Sequence, residues 1–112
     1  MKVEDLAAQA SEAETLLKAL ANRSRLMILC DLYAGERSVN ELCAALDVSQ
    51  PTLSQHLARL RADGLVRTRR DAQKVCYSLA GVKVERVIGL LHKMFCASDC
   101  AVPAPETKRK YI

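Results

Sequence analysis

Apolar residues return every three or four positions from Val3 to Leu20, at Leu6, Ala10, Ala13, Leu17 and Leu20. This is the seam of an amphipathic helix of heptad type, and its two alanines let another helix approach closely. A second stripe, Leu26, Leu29, Cys30 and Tyr33, predicts a helix capped by Asn22 or Ser24 and ended by Gly35. Ser38-Val39-Asn40-Glu41 has the form of a capping box, with Ser at the cap and Glu three residues later. It opens a short helix carrying Leu42 and Leu46, which Asp47-Val48 breaks. Ser49 then caps a fourth helix with Pro51 in its first turn, where a missing N–H costs little. Leu53, Leu57 and Leu60 form its inward stripe, and Gly64 stops it.

The period then changes from 3.6 to 2. In Lys74 to Leu79, one face takes Val75, Tyr77 and Leu79 and the other takes Lys74, Cys76 and Ser78. Leu65 to Arg70 reads as the preceding strand, and Asp71-Ala72-Gln73 as the turn of a hairpin. A last helix, about Val82 to Cys96, gathers Val84, Val87, Ile88, Leu91 and Phe95 on one face. Residues 101–112, with two prolines and a polar, basic end, read as a flexible tail.

The expected fold is mainly α with a β-hairpin. Two helices joined by a tight turn and followed by a basic hairpin describe a winged helix-turn-helix. The 112 residues are expected to form a single domain, 1–112. A single copy of this size buries only about two-thirds of its unfolded surface, so a second copy would help. The seam of the first helix is also long and small-sided for one chain to cover, which points to a homodimer through the first and last helices.

No apolar run approaches the roughly 20 residues of a membrane span. The acidic, amphipathic start has no signal-peptide core, so a cytoplasmic protein without a membrane partner is expected. No phosphate loop, dinucleotide fingerprint or nucleophile elbow occurs, and no His–Asp partner motif surrounds any cysteine. Neither an enzyme nor a cofactor is expected.

Charge sharpens the picture. Residues 59–74 hold six cations and two carboxylates, a surplus equal to the +4 of the whole chain. Concentrated positive charge on a near-neutral body is the footprint of a phosphate-backbone partner, here double-stranded DNA. On the fourth helix the inward leucines leave Ser49, Gln50, Thr52, Ser54, Gln55, His56 and Arg59 as candidate DNA contacts. Gln reads adenine bidentately and Arg reads guanine, whereas Ser and Thr position a helix through phosphates. His56 is the candidate that a structural role beside the core stripe would equally explain. In the wing, Arg67, Arg69 and Lys74 are candidates for phosphate or minor-groove contact. A winged helix that binds protein instead of DNA is the rival reading.

These residues carry a resemblance. Leu17-Lys18-Ala19-Leu20-Ala21-Asn22, Arg25-Leu26 through Leu29-Cys30, Ser49 to Leu57 and Asp63 to Arg70 resemble the ArsR/SmtB family of repressors. The likeness runs from about Leu16 to Cys96. It implies a homodimer that binds an imperfect inverted repeat and releases DNA when an inducer binds. The family's zinc-type site on the last helix would need more than His92, and its arsenic-type Cys-x-Cys is reduced here to Cys43.

Five cysteines remain to be explained: Cys30, Cys43, Cys76, Cys96 and Cys100. Position alone makes Cys30 a small core hydrophobe, Cys43 packing, and Cys76 an incidental residue on the outer strand face. The surroundings Leu26-Met27-Ile28-Leu29-Cys30 and Lys93-Met94-Phe95-Cys96 resemble the thiol- and persulfide-sensing subgroup of BigR, SqrR and HlyU. That likeness implies Cys30 and Cys96 as a redox switch, with reactive sulfur or an oxidant as inducer. The alternative is a three-thiolate site of Cys30, Cys96 and Cys100 for a soft ion such as arsenite, antimonite or cadmium.

Overall fold

The computed structural model describes residues 2–95. In chain order these form α1 (Val3–Leu20), α2 (Arg23–Tyr33), β1 (Arg37–Ser38), α3 (Val39–Leu46), α4 (Gln50–Ala62), β2 (Val66–Asp71), β3 (Lys74–Leu79) and α5 (Val82–Phe95). The expected helices are all present, and the capping residues sit where local chemistry puts them. The Asn22 side chain accepts from the Arg25 N–H at 3.0 Å. Ser38 Oγ accepts from the Glu41 N–H at 3.1 Å while Glu41 Oε1 accepts from the Ser38 N–H at 2.7 Å, closing the capping box. Asp47 ends α3 in the left-handed region (φ 55°), which Asp tolerates better than most residues. Ser49 and Pro51 then start α4.

The core lies where α2, α3, α4 and α5 meet. Leu29, Leu42, Leu46, Leu53, Leu57, Leu60 and Ile88 are fully buried there. Burying each such side chain stabilises the fold by about 1.5–3 kcal/mol. The three α4 leucines are the expected inward stripe. Their burial fixes which face of α4 is left outside.

Three expectations are corrected. First, the sheet has three antiparallel strands in the order β1-β3-β2, because Arg37 and Ser38 pair with Tyr77 and Cys76. A two-residue strand has no period to read. Since β3 is therefore central, Cys76 is buried instead of lying open on an outer face. It stands opposite Ser38 on one side and Arg69 on the other. Second, α2 is rotated from the expected stripe. Ile28, Leu29 and Leu32 are buried, Leu26 and Cys30 are half-buried, and Tyr33 at the helix end is 45% exposed. Third, Phe95 is 74% exposed, because α5 runs past the core before its last turn.

Helix α1 is the outlier. Lys2 to Thr15 are exposed throughout, and only Ala19 is buried. Its C-terminal carbonyls are held by Arg25, whose Nε donates to Ala19 O at 3.0 Å and whose Nη2 donates to Lys18 O at 3.1 Å. Lys83 at the start of α5 donates to Glu12 at 2.7 Å. No helix among the described residues is long and apolar enough to cross a membrane.

Candidate nucleic-acid interface and thiol site

Helices α3 and α4, joined by residues 47–49, make the helix-turn-helix, and β2–β3 make the wing. With Leu53, Leu57 and Leu60 inward, Gln50, Thr52, Ser54, Gln55 and Arg59 are all exposed on α4. Gln50, Ser54 and Gln55 make no side-chain hydrogen bond among the described residues. Ser49 Oγ accepts from the Thr52 N–H at 3.4 Å and donates to Thr52 Oγ1 at 3.0 Å. This pair closes the N-terminus of the helix, where backbone N–H groups favour anions. Arg59 is held by Asp63 at 3.1 Å, one turn on.

His56 is half-buried. Burial, and then the charge of Arg25, hold its pKa below the ordinary imidazole value. It is therefore neutral at neutral pH, as a group that packs rather than a permanent phosphate-binding cation.

The wing is less uniform than its sequence. Paired residues share a face, so Arg67, Arg69, Lys74, Cys76 and Ser78 lie together on one side of the hairpin. Arg67 Nε donates to Ser78 Oγ at 3.4 Å. Lys74 is exposed beside the turn. Arg69 is engaged: Nη2 and Nε donate to the two carboxylate oxygens of Glu36 at 2.7 and 3.0 Å, with Asp71 at 4.0 Å. That hydrogen-bonded pair holds the Glu36 carboxyl below its ordinary range and pushes the guanidinium further up. Arg70, passed over as a candidate contact, is exposed on the opposite face with no ion pair among the described residues. Strand alternation alone would have separated it from Arg69.

The thiols divide. Cys30 is half-buried against the core and lies one helical turn before Tyr33, on the same side of α2. The Tyr33 ring meets α5: its hydroxyl lies 2.9 Å from where a Cβ on Gly89 would stand, and its centroid is 5.8 Å from that of His92. Cys30 thus shares the face of α2 that α5 covers. Cys96 and Cys100 lie outside the described residues. Cys43 is half-buried and packs on the core. No cluster of three metal-ligating side chains occurs among the described residues.

A helix-turn-helix with an open polar face, flanked by a cationic hairpin, defines a winged-helix regulator. Residues 16–68 match the model of the bacterial regulatory protein arsR family. The transcriptional activator HlyU of Vibrio cholerae is 48% identical over 88% of this chain and 92% of its own. A structure of reduced HlyU from the same species superposes with a TM-score of 0.80 at 49% identity, covering 84% of this chain and 99% of that one. The biofilm growth-associated repressor of Agrobacterium fabrum is 50% identical over 81% of this chain and 78% of its own. The homodimeric winged helix-turn-helix DNA-binding domain from Mycobacterium bovis superposes with a TM-score of 0.74 at 34% identity, over 83% and 86%. The chain belongs to the arsR family and, within it, to the branch of HlyU and the biofilm repressors; it is a DNA-binding transcriptional regulator, not an enzyme.

Proposed function

We propose that the chain is a homodimeric cytoplasmic repressor that binds an imperfect inverted-repeat operator and loses affinity when Cys30 and Cys96 become linked. The polar face of α4, from Ser49 to Arg59, enters the major groove, and Arg67, Arg69 and Lys74 meet the backbone or the minor groove. Two copies place two such helices about one DNA turn apart. The relatives are named activator and repressor alike. Occupying a site that another protein would use serves either sign.

The observation that carries the switch is the position of Cys30 on the α5-facing side of α2, one turn from the Tyr33–Gly89 contact. A solved relative is described as reduced HlyU, which fits a redox-responsive branch. The chemistry balances with a sulfane-sulfur donor. One thiolate takes the outer sulfur of an organic persulfide and releases the organic thiol. The second thiolate attacks the protein-bound sulfur of the new persulfide, forming the disulfide and expelling the terminal sulfur as hydrogen sulfide. The two cysteines are oxidised by two electrons and the sulfane sulfur is reduced by two. A tie between α2 and the end of α5 would alter how the two DNA-reading units sit.

The test is peptide mass spectrometry after exposure to an organic persulfide, with DNA affinity measured in parallel. A Cys30–Cys96 linkage and weaker DNA binding are expected, both abolished in Cys30→Ser and Cys96→Ser. Absence of that linkage with unchanged affinity would overturn the switch and leave the DNA-binding assignment standing.

A further inference from the structure

We infer that Glu36 is a latch on the wing: it occupies Arg69 in the DNA-free protein and sets how much of the wing's charge a phosphate backbone meets. The inference rests on the reading of the wing as a DNA contact. Arg69 lies on the same face of the hairpin as Arg67 and Lys74. Its guanidinium fork is filled by both oxygens of one carboxylate, at 2.7 and 3.0 Å. A guanidinium binds a phosphate through the same fork, so the carboxylate and the phosphate compete for the same N–H groups.

The latch is built from distant sequence. Glu36 sits in the turn between α2 and β1, 33 residues before Arg69. Its position is fixed from the next residue: Arg37 pairs with Tyr77 in the sheet and donates to the buried Asp31 at 3.3 Å. The carboxylate is therefore presented by an anchored turn rather than by a wandering loop. The pair itself remains open to solvent, with the Arg69 side chain 57% and the Glu36 side chain 35% exposed. An exposed pair of this kind is weak enough for DNA to displace. Glu36 thus acts through Arg69 as a positioning residue for DNA binding, and it lowers affinity.

The experiment measures binding of four proteins, wild type, Glu36→Gln, Arg69→Ala and the double variant, to a mixed-sequence duplex of about 30 base pairs, long enough for two half-sites one turn apart. Fluorescence anisotropy is read across salt concentration, and circular dichroism checks that each variant folds. Glu36→Gln binds tighter than wild type, and its salt slope steepens by about 0.9, one added phosphate contact. Between 50 and 200 mM salt it then loses about 3.5-fold more affinity than wild type does. In the Arg69→Ala background, Glu36→Gln changes neither quantity.

An unchanged slope in Glu36→Gln overturns the latch. So does a gain that persists without Arg69, which would be a general effect of removing negative charge. The wing reading fails separately: Arg67→Ala and Lys74→Ala would then leave affinity and slope at their wild-type values. A wild-type protein that does not bind the duplex overturns both.

Discussion

Arg37 and His56 show how much a single side chain depends on what surrounds it. Asp31 is buried, and Arg37 supplies one of its hydrogen bonds at 3.3 Å. Removing a donor from a buried carboxylate is destabilising, so Arg37→Ala should lower unfolding free energy by about 1.5–3 kcal/mol, read from urea denaturation. The sequence offers no sign of this pair, since Asp31 falls on a helix whose apolar stripe is itself misplaced by one position. His56 makes a prediction about pH. Its folded pKa is depressed, so the unfolded chain binds its proton more readily than the native one. Its contribution to stability is complete above the unfolded imidazole value of about 6.5 and is lost as pH falls through the lower folded value. Denaturation midpoints from pH 7.5 to 5 should fall less in His56→Gln than in wild type. An equal fall in the two proteins would show that His56 does not carry this dependence. Caps are the opposite case: Asn22, Ser38 and Ser49 were all legible, because a cap is decided within three or four residues of itself.

At the level of elements, legibility follows the range of the interaction that makes each one. The helices could be read because each shows its period over two or more turns. Strand β1 could not, being two residues whose only warrant is a partner some 40 positions away. Missing it displaced Cys76 from surface to interior, and it hid the anchored turn that holds Glu36 against Arg69. The DNA-reading face of α4 was legible because three leucines at helical spacing define its reverse. What each wing cation does was not, because its partner comes from another element. Two local features can be tested directly. Ser38→Ala removes one half of the capping box and should destabilise the protein by about 1 kcal/mol. Ala72 stands in the wing turn with φ 59°, a region that a side chain disfavours. Ala72→Gly should therefore raise stability by about 1 kcal/mol, seen as a higher thermal midpoint, without changing DNA affinity.

For the whole molecule, the apolar surface left open says what one chain lacks. Along α1, Leu6 is 53% and Leu17 61% exposed, on the seam predicted to be shared. Leu90, Met94 and Phe95 stand open on α5 in the same way. The core of α2, α3, α4 and α5 closes without them, so their burial is not needed for the single chain to fold. Their exposure fits a second copy covering α1 and α5, the arrangement proposed here. Replacing the two α1 leucines with charge separates assembly from folding. Leu6→Glu with Leu17→Glu should give a folded monomer by light scattering, with helix content by circular dichroism kept close to that of wild type. A monomer carries one helix-turn-helix and one wing, and therefore half the phosphate contacts. The salt slope of its DNA binding should fall to about half that of the dimer, since the slope counts contacts. A variant that remains dimeric would place the interface elsewhere. A monomer that keeps the full slope would mean that one copy makes every contact, and the paired reading of an inverted repeat would have to be given up.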